Sequence, residues 1–344
     1  MSIITVIGAG VMGSALSFPA RENNHTVRLV GTMLDREIIE HAKKTGYHLN
    51  LQRTLPKGIA YYQLEELEQA LEGVDLIVGG VSSFGVEWFA KVIIPKLPSE
   101  IPVLSVTKGM LNLPDGTLLS YPAYYEQKAP GRHFCAIGGP CTSYELADLD
   151  QTHICFCGKD MEILRKMKVL FETSYYHISL STDVEGLECA VAMKNGYALA
   201  VTLAVGLSLK LQNKIQYNSQ AALFAQSVKE MQRLFDLFGY EGDNIIFGAG
   251  DLYVTVYGGR TRKIGTLLGQ GYSFEAAMKE LDGVTLESVV IATRTGEAVH
   301  TLIESGKAKK EQFPLLLHVY DIITQGAKVN IPWSAFEAEF LFEP

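Results

Sequence analysis

Cysteine is scarce in this chain, and the few present do not form a framework. Five residues, an odd number, stand at 135, 141, 155, 157 and 189, without the spacing of a secreted disulfide scaffold, so a reducing compartment is expected. Cys155 and Cys157 in HICFC lie two apart, the period of one strand face, and no metal site is expected. The eight histidines lack paired metal spacing and are expected at the surface or in hydrogen-bonded core. Basic blocks are missing as well. The net charge of −8 is spread over both halves with no basic stripe interleaved with aromatics, which argues against a nucleic-acid partner. An anionic substrate stays compatible, because a few cations in a cleft outweigh a distant negative surface.

Long uncharged apolar runs are also lacking. The best is CAVAMKNGYALAVTLAVGLSL at 189–209, which Lys194 interrupts; its uncharged part, 196–209, is fourteen residues, short for a bilayer and suited to a buried helix, so no membrane span is expected. MSIITVIGAG has no basic n-region, so no targeting segment and a cytoplasmic location are expected. No internal repeat or low-complexity tract stands out. The whole chain of 344 residues is 47% apolar and 20% charged, ordinary for a folded protein, and too long for one core, so two domains are expected.

The N-terminal segment SIITVIGAGVMGSALSFPARENNHTVRLVG reads as strand, glycine turn, helix, strand. Gly8, Gly10 and Gly13 stand in GxGxxG spacing. In that pattern the first glycine permits the tight turn, the second lets backbone approach a pyrophosphate, and the third allows close helix packing at an anion-binding helix start. These glycines, with Val11 and Met12 between them, are therefore the expected coenzyme-binding residues. The ribose-reading acid should follow the second strand; Asp35 is the nearest carboxylate and Arg36 its neighbour, which favours NAD without excluding NADP. VDLIVGG, IPVLSVTKG, CAIGGP and THICFCG continue a buried sheet, which YYHISLS closes, and QLEELEQALEG and MEILRKMKVLFET read as helices between them. Ser83 and Phe84 follow one strand end and are candidates to line the coenzyme groove. Lys108 follows another, and position alone supports a solvated lysine and a substrate-facing cation equally.

Beyond residues 183–185 the pattern turns to long helical stretches. The expected fold is thus α/β, a Rossmann-type doubly wound sheet domain over 1–184 followed by an all-α domain over 185–344. In FGAGDLYVTVYGGRTRK, Gly248, Gly250, Gly258 and Gly259 read as helix breakers framing Asp251 and the cations Arg260, Arg262 and Lys263, a composition suited to a surface loop or to a phosphate. Lys194 is the other anomaly. Its helical neighbours are Ala190, Val191, Tyr197 and Ala198, so no polar face receives it. Burial favours its neutral form and a carboxylate such as Asp251 its charged form, opposed effects that suit proton transfer at a cleft.

GAGVMGSAL, SVTKG, GGPCTSYELA, AMKNGYALA, GAGDLYVTVYGGRTRK and FPLLLHVYDIITQGAKV resemble, in order and spacing, the soluble nicotinamide-dependent glycerol-3-phosphate dehydrogenases. The resemblance implies interconversion of dihydroxyacetone phosphate and sn-glycerol 3-phosphate by a homodimer. It implies Lys194 as general acid/base, Lys108 as a second substrate-side cation and Asp251 as the carboxylate orienting the lysines. Asn195, Thr255 and Arg260 match substrate contacts, Arg260 as phosphate ligand with Thr261 beside it; Lys108 and Arg260 also stand with Ser83 and Phe84 on the coenzyme side. Departures are Cys141 and Thr142 where the family has serine and phenylalanine, Thr261 where one branch has asparagine, and a loose match over LDGVTLESVVIATRTGEAV. These keep open a related two-domain dehydrogenase for another small phosphorylated or carboxylated ketone; a non-catalytic dinucleotide sensor is the third reading.

Overall fold

The computed structural model describes residues 1–281 and 286–336. Two compact units emerge, Met1–Gly109 with Ser120–Glu188, and Met110–Leu119 with Cys189–Pro344. Among the described residues the strands in chain order are β1 (Ile3–Ile7), β2 (Thr26–Val30), β3 (Tyr47–His48), β4 (Arg53–Thr54), β5 (Ile59–Tyr62), β6 (Leu76–Gly79), β7 (Val103–Ser105), β8 (Met110–Asn112), β9 (Leu118–Ser120), β10 (Phe134–Gly138), β11 (Thr152–Cys157) and β12 (Tyr176–Ser181).

The first unit is built on one sheet in the order β12-β11-β10-β7-β6-β1-β2-β5. All neighbouring pairs are parallel except β10 with β11, which run antiparallel. β6, β7 and β10 are buried along their whole length, which is why they read as continuous apolar runs rather than alternating ones. Chain direction leaves β1 towards β2 on one side and returns as β6 on the other, so the switch point lies between β1 and β6, where such sheets bind ligands. Cys155 and Cys157 both lie buried in β11. The five cysteines are separate thiols, and burial pushes Cys155 up to about 12, which makes it an inert core residue.

Helix boundaries follow local chemistry. Asp160 Oδ1 accepts from the amides of Glu162 and Ile163 and starts Met161–Phe171, an N-cap worth roughly 1 kcal/mol. The expected helix over 63–73 forms as a 3-10 turn at Leu64–Glu66 running directly into an α-helical turn at Leu67–Ala70, and the chain then turns at Gly73, with φ 63°, to enter β6 at Leu76.

In the second unit the helix Val184–Gln212 supplies the central apolar surface from Cys189 onward. By length and composition it is the one described helix able to cross a membrane, yet 89% of its most apolar window is buried inside the protein. A helix apolar on every side is what a core position covered from all directions requires. Asn218–Phe238 and Pro314–Gln325 end at Gly239 and Gly326, with φ of 70° and 65°, left-handed stops that favour glycine. The hairpin β8–β9 joins this unit: Asn112 Nδ2 donates to Glu297 and Arg294 Nη1 donates to the Met110 carbonyl. Asp282, Gly283, Val284 and Thr285 of the loosely matching segment lie outside the described residues.

Candidate active site

The glycine turn after β1 is pressed against the end of β6. At Gly8, with φ 108°, a Cβ would lie 2.8 Å from the carbonyl carbon and oxygen of Gly80; at Gly80 a Cβ would lie 2.5 Å from Gly8 O. Gly13 is closed in by Gly8 O, Gly80 Cα and Val6. No side chain fits between these backbones, so Gly80 belongs to the motif as much as Gly8 does. Gly10 is extended and gives no side-chain cap to the helix starting at Val11. The first-turn amides of Val11, Met12 and Gly13 therefore have no capping side chain and suit an anion.

Two side chains hold this loop. Asp35 Oδ2 accepts from Ala9 N at 3.1 Å and from Thr32 N and Oγ1 at 2.8 Å each, tying the loop to the end of β2. Arg36 turns instead to Glu65. His48 is fully buried; its Nδ1 accepts from Leu51 N at 3.0 Å, so Nε2 carries the proton and donates to the Ala9 carbonyl at 3.0 Å. Burial lowers its pKa and keeps this neutral form. His48 is hydrogen-bonded core, as its class suggested, but its contact with the coenzyme loop carries no sequence signal. Ser83 and Phe84 form a turn past β6, with Phe84 exposed.

Lys108 follows β7, where Thr107 Oγ1 donates to the Val81 carbonyl at 2.6 Å. Its Nζ donates to the Gly139 carbonyl at 2.8 Å. The departures Cys141 and Thr142 follow Gly139-Pro140, and Thr142 Oγ1 donates to the retained Glu145 at 2.6 Å.

In the second unit Lys194 is brought to its carboxylate. Its Nζ donates to Asp251 Oδ1 at 2.9 Å and to Thr255 Oγ1 at 3.0 Å, while Thr255 Oγ1 donates to the Asp251 carbonyl. The Lys194 side chain is 13% exposed and that of Asp251 2%. Asn195 is buried beside it. The spacing explains the meeting: Ala190 and Lys194 are one turn apart on Val184–Gln212, and Gly248, Asp251 and Thr255 are successive turns apart on Ile245–Val256.

The expectation that glycines break the chain across 248–259 is corrected. Ile245–Val256 and Gly259–Gln270 are helices. Gly248 is glycine because a Cβ there would lie 2.7 Å from Ala190 O; it permits a helix crossing rather than a turn. Only the Tyr257–Gly258 junction and Gly259, with φ 73°, interrupt the helical path. Gly265 and Gly269 likewise press their helix onto Thr202, Leu203 and Gly206. That helix starts without a side-chain cap, with Arg260 exposed in its first turn. Thr261 is buried, and Arg262 Nη1 donates to the Val256 carbonyl at 2.7 Å. Arg260 is thus placed to present a guanidinium beside uncapped amides.

The chain matches the family described as NAD-dependent glycerol-3-phosphate dehydrogenase N-terminus over residues 3–164, and its C-terminus over residues 183–333. It is 32% identical to an NADP(+)-dependent glycerol-3-phosphate dehydrogenase of Archaeoglobus fulgidus, covering 95% of this chain and 97% of that one. It is 30% identical to a glycerol-3-phosphate dehydrogenase [NAD(P)+] of Bacillus pumilus, covering 96% and 92%. In fold it is similar to a glycerol-3-phosphate dehydrogenase structure from Plasmodium falciparum, with a TM-score of 0.83 at 18% identity over 99% of this chain and 97% of that one. The glycine cradle, the lysine–aspartate pair and these full-length matches agree, and the chain belongs to the family of NAD(P)-dependent glycerol-3-phosphate dehydrogenases.

Proposed function

We propose that the chain is an oxidoreductase interconverting dihydroxyacetone phosphate and sn-glycerol 3-phosphate with NAD or NADP. The observation that carries this reading is the shielded Lys194 ammonium clamped between Asp251 and Thr255 at 2.9 and 3.0 Å. The backbone cradle of Gly8 and Gly80, which a Cβ would fill, fits a dinucleotide pyrophosphate, with Gly10, Val11, Met12 and Gly13 supplying amides and Ser83 and Phe84 flanking it. When bound, the nicotinamide supplies or accepts the hydride at C2.

Lys194 gives its proton to the C2 oxygen as negative charge grows there, and takes it back in the reverse direction. Asp251 and Thr255 fix the ammonium in advance, so little reorganisation accompanies the charge change. The family resemblance supports Lys108 as a second substrate-side cation and a coenzyme contact. Asn195 orients the hydroxyl groups. Arg260, with the amides of its helix start including that of Thr261, holds the phosphate and spends remote binding energy on placing C2. In this reading 1–184 carries the coenzyme and 185–344 the substrate groups, Lys108 apart. The family resemblance also supports a homodimer in the cytoplasm without a nucleic-acid partner, open to sedimentation and cell fractionation.

The test is consumption of NADH and of NADPH with dihydroxyacetone phosphate beside a carboxylate analogue. Turnover preferring the phosphate supports the proposal. Preference for the carboxylate moves the enzyme to another substrate class, and tight coenzyme binding without turnover makes it a sensor.

A further inference from the structure

Lys108 stands three residues past the end of β7 at Ser105, where the pairing of strands no longer fixes the chain. β6 and β7 pair in parallel up to Gly79 with Ser105, and Val106 N donates to the Gly79 carbonyl at 3.1 Å. Bonds in a parallel ladder recur every second residue, so the next acceptor along this edge is the Val81 carbonyl. A side chain takes it. Thr107 Oγ1 donates to Val81 O at 2.6 Å, and both residues are buried. The hydroxyl thus carries the hold on the chain past the end of the strand, to the residue before Lys108.

The other end of that bond lies at the coenzyme cradle. Val81 follows Gly80, whose backbone closes against the glycine turn: a Cβ at Gly8 would lie 2.8 Å from Gly80 C and O and 3.1 Å from Val81 N. The cradle has backbone braces of its own, Gly8 N to the Val30 carbonyl at 2.9 Å and Gly80 N to the Ile7 carbonyl at 2.8 Å, so it keeps its shape without Thr107. Lys108 is held at both ends, at its base by the Thr107 hydroxyl and at its tip by the Gly139 carbonyl, which accepts from Nζ at 2.8 Å. An ammonium has three donors on a flexible stem. With the tip tethered, the place of the base decides where the remaining donors point.

We propose that Thr107 is the positioning residue of Lys108: its hydroxyl fixes the lysine against the Gly80-Val81 backbone, and so at a set distance from the glycine cradle. The proposal rests on the reading of Lys108 as a substrate-side cation. A hydroxyl that only filled a buried position could be exchanged for a methyl group of the same shape without loss of turnover. One that sets a distance could not.

The test compares Thr107→Val, which keeps the shape and removes the donor, with Thr107→Ser, which keeps the donor, each with Lys108 present and with Lys108→Met. With Lys108 present, Thr107→Val should lower kcat for dihydroxyacetone phosphate by roughly tenfold, as expected for a misplaced group at the reaction. Thr107→Ser should recover most of that loss. The Kd for NADH, read by fluorescence without substrate, should stay within about twofold, less than the worth of a typical hydrogen bond. In the Lys108→Met background Thr107→Val should cost less than about twofold, because two changes acting through one group do not add. Equal losses in both backgrounds overturn the proposal, and so does a Thr107→Ser variant as slow as Thr107→Val. A weakened NADH Kd beside an unchanged kcat overturns it as well. Where Thr107→Val does not fold, Thr107→Cys, with a weak S–H donor, takes its place against Thr107→Ser. Turnover by Lys108→Met at the wild-type rate sinks the role of Lys108 and this proposal with it. Additive losses beside an impaired Lys108→Met sink the proposal alone.

Discussion

Gly248→Ala adds one carbon where two helix backbones meet, and the structure gives its consequence at the site. The new Cβ would lie 2.7 Å from Ala190 O and 2.8 Å from Ala190 C and Cβ, where ordinary contact begins near 3.4 Å. Backbone atoms cannot turn aside, so Ile245–Val256 must withdraw by about 0.7 Å. Carried one turn along to Asp251, that shift lengthens the 2.9 Å bond to Lys194 by at most the same amount, to about 3.6 Å and out of hydrogen-bond range where it runs along the bond. Overpacking of this kind costs about 1–3 kcal/mol, a fall in Tm of roughly 2–10 °C for a unit of this size. Displacement of a catalytic group by a sizeable fraction of an ångström costs up to about a hundredfold in kcat. Steady-state kinetics with dihydroxyacetone phosphate and calorimetry on the same preparation read both effects. A lowered Tm with wild-type kcat would refute the link between this crossing and the lysine. An unchanged Tm and kcat would refute the crossing itself.

Other groups give their own outcomes. Arg260→Ala should raise KM for dihydroxyacetone phosphate by roughly ten- to a hundredfold, the worth of a charged hydrogen bond, with a smaller change in coenzyme Kd; an unchanged KM moves the phosphate elsewhere. His48→Ala removes the donor to the Ala9 carbonyl, and NADH fluorescence titration should show binding weaker by about fivefold or more, near the value of one hydrogen bond; unaltered binding means that the loop needs no such brace. Glu230, fully buried, is pushed by burial up to about 7 despite its four donors. The folded state then holds this proton more tightly than the unfolded chain, so the contribution is present below about pH 4.5 and is lost as pH rises towards 7. It amounts to about 3 kcal/mol. Denaturant melts from pH 4.5 to 8 should show that decline in wild type and a flatter profile in Glu230→Gln; equal slopes contradict the assignment.

The sheet and the coenzyme loop were legible because their signals are local. Buried parallel strands leave continuous apolar runs, and GxGxxG states its own turn, so β1, β2, β6, β7, β10, β11 and β12 lie in the runs that name them. The edge strand β5 and the hairpin β8–β9 escaped because they are only partly buried and so leave no continuous apolar run, unlike the equally short β6 and β7. Lys194 announced itself by having no polar face to occupy. Its partnership with Asp251, 57 positions on, was readable as chemistry, but the glycine that permits it was mistaken for a breaker. A glycine needed for helix contact and one needed for a turn look identical until the facing backbone is seen. Gly80 and His48 were silent for the same reason: each acts through a neighbour distant in sequence. Asp35 was found for its charge and turned out to spend three hydrogen bonds bracing the loop.

The central claim is that the Lys194 amine exchanges a proton with the substrate oxygen. Its most direct test is kcat of Lys194→Ala with dihydroxyacetone phosphate and NADH, with and without a small primary amine in solution. The account predicts a loss of roughly a hundred- to ten-thousandfold, unaltered coenzyme binding, and partial recovery that rises with the concentration of added amine. Turnover within about twofold of wild type, which is under 0.5 kcal/mol in barrier, would contradict it.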